Sequence, residues 1–206
     1  MSKNGIYILS HQKAVGRKKK KIDAEGSNLI AAGSLPIEVT IDSQKGSYRL
    51  VGVFMEQVRE QFGLSLNLLK NKMFKKTSHI LYEFGAQIDL GHKVYDGPSI
   101  GLPLFLALIA ELCDYPVLCK IGATGELTKS GRIAKIGLLK QKLENAVKAG
   151  ITVVILPQEN LLEAKAISKE NPKIDKIRMI FVDNVYNAGL ALYNISHYGI
   201  IDEIDD

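Results

Sequence analysis

Apolar residues recur at two different spacings along this chain, and the spacing predicts which stretches are strands and which are helices. LPIEVTID (Leu35–Asp42) alternates apolar and polar positions, which predicts a strand with one buried face. SQKG follows as a turn, so SYRLVGV (Ser47–Val53) is predicted to be the hairpin partner of that strand. Between Met55 and Lys72 the apolar residues instead fall at helical intervals. A second β region is predicted over Ile80–Leu90, so the first half is expected to be rich in hairpins.

The second half alternates short apolar runs with longer stretches of helical spacing. Leu102–Cys113 is almost entirely apolar and long enough to be a buried helix. Gly150 is positioned to end the helix that precedes it. The other predicted strands are Val117–Leu127 (with a turn), Gly131–Gly137, Ile151–Pro157 and Ile177–Asp183, and the other predicted helices are Leu138–Ala149, Glu159–Asn171 and Val185–Tyr193. This alternation after a hairpin-rich first half predicts the α+β (mixed α/β) fold class.

Composition changes this picture little, but the distribution of charge changes it at one end of the chain. The 206 residues are 46% hydrophobic and 24% charged, as in an ordinary globular protein, and no apolar run reaches the roughly 18 residues that span a bilayer. Seven positive charges precede the first acid, Asp23, and removing them from the net +5 leaves −2 for the rest. We therefore interpret residues 1–26 as a flexible basic leader or linker, with a short strand at Ile6–Leu9. The lysine run has no interleaved aromatic residues and no basic body behind it, which disfavours nucleic acid as a partner.

The start of the chain and its cysteines bear on where the protein works. MSKNGIYILSHQ lacks the charged-then-apolar layout of a signal peptide. Cys113 and Cys119 lie six positions apart without a second pair, which favours neither a zinc cluster nor a disulfide framework. These features predict a cytoplasmic protein with no membrane segment and no metal site.

The strongest chemical signal in the chain is a single serine enclosed by glycine and proline. In YDGPSIG, Gly97 and Pro98 force a tight turn immediately before Ser99, and an apolar helix is predicted to follow. The N–H groups at the start of that helix would lie near the serine oxygen, where they could stabilise a developing oxyanion. Ser99 therefore has two interpretations, a nucleophile or an ordinary helix N-cap.

A nucleophilic serine needs a base, and the sequence offers two kinds. His92 is the nearest histidine along the chain, but no acid is placed to orient it. Lys142 falls inside the apolar arc of the helix predicted over Leu138–Ala149, whereas Lys140 and Lys148 fall on its polar side. Burial lowers the pKa of a lysine, and the neutral amine could then take a proton from serine. The alternative is a lysine whose stem is buried while its amine reaches solvent.

Several stretches, all in the same order, resemble the proteolytic domain of the Lon proteases. The similar segments are GSLPIEV (Gly33–Val39), DGPSIG (Asp96–Gly101), ATGEL (Ala123–Leu127), GRIAKIGLLKQK (Gly131–Lys142) and KAGITVVILPQEN (Lys148–Asn160). The resemblance extends over roughly residues 27–193, and the 43 residues that separate Ser99 from Lys142 fit the family pattern. It implies a Lon-like proteolytic domain over 27–206 and the activity of a serine endopeptidase with a serine–lysine dyad.

The resemblance also implies roles for individual residues. Ser99 would be the nucleophile and Lys142 the general base, with the Thr124 hydroxyl bonded to the lysine amine. Glu126 would be structural or shape the site, and Asp96 would control whether the dyad is formed or blocked. The domain itself would require no metal and no organic cofactor.

The resemblance also predicts where the oxyanion site lies, and the chain departs from the family near both Ser99 and Lys142. The expected oxyanion donors are backbone N–H groups of the stretch Gly97, Pro98 and Ser99. Leu138 stands where the family usually repeats glycine, so the turn into the helix of the base is expected to be stiffer. Ile100 is bulkier than the alanine that is commoner after the serine, and it would narrow the site.

Lon enzymes join this domain to an ATPase, and this sequence contains no G-x-x-x-x-G-K-[ST] phosphate loop. Three explanations stay open: a stand-alone peptidase for unfolded chains, a subunit that works with a separate unfoldase, or part of a longer protein. The expected partners are a polypeptide substrate, further copies of the chain in a hexameric ring, and a separate or detached ATPase. The rival interpretation is a non-proteolytic Lon-like ring scaffold associated with DNA recombination or an ATPase. Retention of both Ser99 and Lys142 argues against that rival.

Overall fold

The computed structural model describes residues 5–13, 30–36, 38–42, 48–54, 56–73, 85–95 and 97–199. The strands in these ranges are β1 (Gly5–Lys13), β2 (Ile30–Pro36), β3 (Glu38–Asp42), β4 (Tyr48–Phe54), β5 (Gly85–Tyr95), β6 (Lys120–Ala123), β7 (Glu126–Leu127), β8 (Ile133–Ala134), β9 (Val153–Pro157) and β10 (Arg178–Val182). The α-helices are α1 (Glu56–Leu68), α2 (Gly101–Leu112), α3 (Leu139–Lys148), α4 (Leu161–Glu170), α5 (Pro172–Asp175) and α6 (Val185–Tyr198). A π-helical turn at Leu69–Met73 and 3-10 turns at Pro98–Ile100 and Gln158–Asn160 accompany them.

A five-stranded sheet with the order β10-β9-β6-β1-β2 forms the centre of the domain. Its neighbours are parallel except for β1 and β2, which are antiparallel. A three-stranded sheet has the order β3-β5-β4, and β7 and β8 form a small antiparallel pair. Mostly parallel strands connected by helices, together with these smaller sheets, confirm the predicted mixed α+β class.

Helices cover both faces of the central sheet. The burial of β9 on both faces explains why its sequence is continuously apolar. Val153 and Ile155 point into a core formed with α1, α2 and α6, whereas Val154 and Leu156 point into a second core formed with α3 and α4. Successive side chains of a strand point to opposite faces, so a strand that is covered on both sides has no polar position. The two cores hold the sheet between the helix that follows Ser99 and the helix that carries Lys142.

α2, α3 and α4 begin and end within two residues of the predicted positions, whereas α6 continues to Tyr198, beyond the predicted end at Tyr193. α2 is buried at every position from Gly101 to Ala110, as expected of a helix that is apolar around its whole circumference. Gly150 follows α3 with a φ of 67°, and Ile151 N–H donates back to Ala146 O at 3.0 Å. This left-handed glycine ends the helix as predicted, because it turns the chain while its neighbours satisfy the last carbonyl groups. None of the helices in the described ranges is both long and apolar enough to cross a membrane.

The predicted hairpin between Leu35–Asp42 and Ser47–Val53 is wrong. β3 and β4 lie on opposite sides of β5, which pairs antiparallel with β3 and parallel with β4. Alternation of apolar residues predicts that a strand exists, but not which edge it joins, and β5 offers two edges. β5 itself extends to Tyr95, beyond the predicted Ile80–Leu90, and residues 80–84 of that prediction lie outside the described ones.

The predicted leader, residues 1–26, includes a strand of the central sheet. β1 contains the predicted Ile6–Leu9 and is longer, and it pairs with β2 on one side and β6 on the other. Ile6 and Leu9 are buried in the two different cores. Residues 5–13 are therefore part of the fold rather than a leader, because the strand pairs on both edges and Ile6 and Leu9 are each buried in a core. The lysine run lies outside the described residues.

Candidate active site

Ser99 lies in the 3-10 turn Pro98–Ile100 that leads directly into α2. Gly97 precedes this turn with φ 94° and ψ 148°, a conformation that residues with a Cβ rarely adopt, so the approach to Ser99 requires glycine. The residue at the N-cap of α2 is Ile100, and the helix has no side-chain cap. The interpretation of Ser99 as an ordinary helix N-cap is therefore wrong.

Lys142 is buried on the inner face of α3. Its side chain is 1% exposed and lies on the same face as Leu139, Leu143 and Ala146. The alternative in which the amine reaches solvent is therefore wrong. Burial lowers the pKa of Lys142 from its ordinary value of 10.5 to about 8, because a charged amine loses its hydration inside the protein.

The structure brings the Lys142 amine to two hydroxyl groups. Lys142 Nζ lies 2.9 Å from Ser99 Oγ and 2.8 Å from Thr124 Oγ1. Thr124 is fully buried, and its own hydroxyl donates to the carbonyl oxygen of Ser99 at 3.4 Å. With its single hydrogen directed at Ser99 O, Thr124 accepts a hydrogen bond from the amine. The lone pair of a neutral Lys142 is then left for the hydroxyl of Ser99.

Backbone hydrogen bonds tie the segment after β6 to the turn that carries the serine. Gly125 N–H donates to Ser99 O at 2.8 Å, and Leu102 N–H donates to Gly125 O at 2.9 Å. Gly125 is therefore held between the 3-10 turn and the first turn of α2. This arrangement fixes Thr124, the preceding residue, against both Ser99 and the amine of Lys142.

Comparison with known proteins matches this chain to one family over most of its length. The family described as the Lon protease (S16) C-terminal proteolytic domain matches residues 18–191. The chain belongs to this family. The recognised range includes Ser99, Thr124 and Lys142.

Individual Lon proteases show the same relationship. The chain is 29% identical to the Lon protease of Geobacter metallireducens over 76% of its own length and 20% of that protein. It is 32% identical to the Lon protease of Mycoplasma genitalium over 74% of its length and 20% of that protein. It is 34% identical to the Lon protease of Bacillus thuringiensis over 66% of its length and 18% of that protein. The chain thus spans about a fifth of the length of these curated relatives.

The other predicted site residues of this Lon domain are Glu126, Asp96 and the expected oxyanion donors. Glu126 lies in β7, partly exposed, and within the described residues the two hydrogen-bond partners of the Lys142 amine are hydroxyls rather than this carboxylate. Asp96 lies outside the described residues. Pro98 has no N–H and cannot be an oxyanion donor, so its inclusion among the predicted donors is wrong. Gly97 and Ser99 each retain a backbone N–H at this turn.

Leu138 adopts the left-handed conformation immediately before α3 of this Lon domain. Its φ and ψ are 56° and 35°, its carbonyl accepts from Lys142 N–H at 3.2 Å, and its side chain is 42% exposed. A residue with a Cβ is strained in this region, and glycine is not. The turn into α3 thus has a backbone geometry that favours glycine, and Leu138 bears the strain of adopting it.

Two buried polar residues of α1, Gln61 and Ser65, are absent from the sequence-based predictions. Both lie next to the site, because Gln61 bonds to the backbone of Leu127 and Ser65 bonds to Gly101. Their positions share the helical spacing of the buried Val58, Phe62 and Leu69. The signal was therefore available in the same form as for Lys142, a polar residue inside an apolar arc.

A cavity of about 1190 Å³ lies between β10 and α6, and its lining includes none of Ser99, Thr124 and Lys142. The cavity is therefore separate from Ser99 and Lys142. In the described part of the chain, no group of three or more His, Cys, Asp or Glu side chains is arranged to hold a metal ion.

Proposed function

We propose that this chain is a Lon-type serine endopeptidase that hydrolyses peptide bonds of unfolded polypeptides with a dyad of Ser99 and Lys142. The observation that carries the proposal is the 2.9 Å separation of Ser99 Oγ from a lysine amine that is withdrawn from solvent. A buried amine with a pKa of about 8 has a neutral form available near neutral pH, as a general base requires. Membership of the Lon proteolytic domain family supports the reaction class.

Acylation follows from the positions of these two groups. Neutral Lys142 takes the proton of the Ser99 hydroxyl while Oγ forms a bond to the carbonyl carbon of the scissile peptide. The tetrahedral intermediate carries a negative oxygen, for which Gly97 and Ser99 offer backbone N–H groups at the turn. When the C–N bond breaks, the protonated amine gives its proton to the leaving nitrogen, and Ser99 remains as an ester.

Deacylation uses the same amine a second time. Lys142, neutral again, takes a proton from a water molecule as the water oxygen attacks the ester carbonyl carbon. Collapse of the second intermediate breaks the bond to Ser99 Oγ, which regains a proton from Lys142. Thr124 contributes by accepting a hydrogen bond from the amine throughout, which keeps the lone pair directed at Ser99.

The partners and location of the working enzyme belong to the same proposal. We expect copies of the chain to assemble into a ring, and an ATPase unfoldase, separate or detached, to deliver substrate. We expect the enzyme to work in the cytoplasm without a metal or organic cofactor in this chain. A non-proteolytic scaffold associated with DNA recombination or an ATPase is the rival, but such a scaffold has no use for a buried amine beside a serine.

Cleavage of casein by the purified chain tests the proposal directly. Ser99→Ala and Lys142→Ala are each expected to lower the rate by about a thousandfold or more, because each removes one member of a unit that works together. Lys140→Ala is the matched control, since Lys140 lies on the exposed side of the same helix and pairs with Glu170. Its rate is expected to equal that of the wild type.

Labelling of the serine by a fluorophosphonate gives a second readout that does not depend on the choice of substrate. The wild type and Lys140→Ala should be labelled on Ser99, while Ser99→Ala should not be labelled. Equal residual casein cleavage by all four proteins would contradict the proposal. Absence of both cleavage and labelling in the wild type would contradict it as well, and DNA binding that is lost when Lys18–Lys21 are replaced by alanine would then favour the scaffold.

A further inference from the structure

Gln61 is a buried polar side chain that the proposed reaction does not use. It lies on the inner face of α1, 6% exposed, and its amide forms two hydrogen bonds with one residue of β7. Gln61 Nε2 donates to Leu127 O at 3.3 Å, and Leu127 N–H donates to Gln61 Oε1 at 2.9 Å. The side-chain amide therefore pairs with Leu127 as the backbone of a neighbouring strand would.

Leu127 needs such a partner because of its place in the short β7–β8 pair. Thr128 N–H donates to Arg132 O just beyond this pair. In an antiparallel ladder the residue beside a hydrogen-bonded one directs its N–H and C=O away from the partner strand, and here that residue is Leu127. Leu127 is 2% exposed, so water does not satisfy these two groups. Gln61 satisfies both of them from the opposite side.

The same amide packs against the first residue of α2. A Cβ added to Gly101 would collide with Gln61 Oε1 and would come within 3.0 Å of Leu127 Cγ. Ser65, one helical turn after Gln61, donates its hydroxyl to Gln61 O at 2.8 Å and to Gly101 O at 3.4 Å. Gln61 thus contacts both ends of the backbone that surrounds the dyad: Leu127 on one side, and Gly101, two residues after Ser99, on the other.

Three consecutive links connect Gln61 to the amine. Gln61 holds Leu127, Gly125 bonds Ser99 O and Leu102 N–H, and Thr124 bonds the amine of Lys142. We propose that Gln61 is a positioning residue, which holds the segment 124–127 so that Thr124 and Ser99 keep the Lys142 amine at hydrogen-bond distance and away from water. The catalytic consequence of this role rests on the proposed function, whereas the effect on the amine itself does not.

Loss of the Gln61 amide should loosen the segment and admit water to the amine. The pKa of Lys142, which burial holds near 8, should then rise toward its ordinary value of 10.5. At a fixed pH below 8, fewer molecules would carry a neutral base, so kcat should fall while KM changes little. A residue that contributed only to global stability would lower the folded fraction without moving this titration.

The experiment compares four proteins by NMR titration of the Lys142 side chain and by the pH dependence of kcat on casein-derived peptides. Gln61→Met keeps the length of the side chain and removes both polar atoms. Gln61→Glu keeps the acceptor for Leu127 N–H, and it preserves the test if the first variant does not fold. Val58→Ala is the matched control, because Val58 is fully buried in the same helix and its side chain has no polar atom to bond the segment 124–127.

In Gln61→Met the pKa of Lys142 should rise by at least about one unit. At pH 7 kcat should fall roughly tenfold, and KM should stay within about twofold of the wild-type value. Gln61→Glu should shift in the same direction by less, and Val58→Ala should not shift. Titration of Lys142 at the wild-type pH in both Gln61 variants would overturn the inference, even if activity fell. The titration needs no turnover, so an inactive wild type would contradict the proposed function and leave this test in force.

Discussion

The amide N–H of Gly125 donates a 2.8 Å hydrogen bond to the carbonyl oxygen of Ser99. The backbone that supplies Thr124 is therefore attached to the residue that carries the hydroxyl, and Thr124 in turn accepts from the amine of Lys142. Three segments that are distant in sequence meet through these bonds. A substitution in any of the three segments should therefore alter the geometry between Ser99 and Lys142.

The pH dependence of peptide cleavage should report the protonation of Lys142. Lys142 can act as the proposed base only when it is neutral, and burial lowers its pKa to about 8, so activity should rise with pH through that value and level off above it. The measurement is kcat/KM between pH 6 and 10 on a peptide without titratable groups. A profile that is flat across this range would show that Lys142 is not the base.

The stability of the protein should also depend on pH through Lys142. The folded-state pKa is about 8 and the ordinary value, expected in the unfolded chain, is 10.5, so between these values the unfolded state binds more protons. The free energy of unfolding should therefore rise with pH across this window by about 3 kcal/mol, and the stabilisation should be absent below pH 8. Lys142→Met fills the same space without a charge and should lack this rise. Chemical denaturation of both proteins at pH 7 and pH 10.5 measures the difference.

Thr124→Val should impair catalysis more than folding. Valine matches the shape of threonine but cannot accept from the Lys142 amine or donate to Ser99 O. The loss of one hydrogen bond to the Lys142 amine, worth about 1.4 kcal/mol, should lower kcat about tenfold. Thr124→Ser, which keeps the hydroxyl, should retain most of the activity. Equal kinetics for the valine and serine variants would show that the hydroxyl has no role.

Leu138 offers a test of backbone strain at the start of the helix that carries Lys142. Because its φ is 56°, Leu138→Gly should be more stable than Leu138→Ala by about 1 kcal/mol. The order should reverse at Gln141, an exposed position inside α3, where Ala should exceed Gly by about 1 kcal/mol. Denaturant melts of the four variants give both differences. If alanine were the more stable residue at both positions, Leu138 would carry no strain.

Gly101 and Gly63 should respond in opposite directions to the same substitution. Gly101→Ala would force its Cβ against Gln61 Oε1 and should destabilise the domain by about 1–3 kcal/mol. Gly63 lies in α1 with open space around it, so Gly63→Ala should stabilise by about 0.5–1 kcal/mol. Thermal unfolding distinguishes the two, and a stabilised Gly101→Ala protein would refute the close packing of Gln61 against α2.

Much of the fold could be predicted because the relevant signals are local. α1 and α3 appear where apolar residues recur at helical spacing, α2 appears as a long apolar run, and β9 appears as a short one. The pairing of strands could not be predicted in this way. β4 joins β5 in parallel rather than β3 as a hairpin, and β1 joins the central sheet from within a predicted leader. Strand pairing depends on which edges the packed helices leave open, and no short stretch of sequence records that.

The candidate site likewise combines features that local sequence predicts with contacts that depend on the tertiary structure. The sequence by itself determined that one serine follows a glycine–proline turn and that one lysine occupies the apolar side of a helix, because turn chemistry and helical period act over a few residues. Only the tertiary structure decided that these two groups meet at 2.9 Å, and that Gln61 completes the backbone of Leu127 beside them. Such contacts join residues 43 and 66 positions apart, and they form only when the sheet and its helices are packed together.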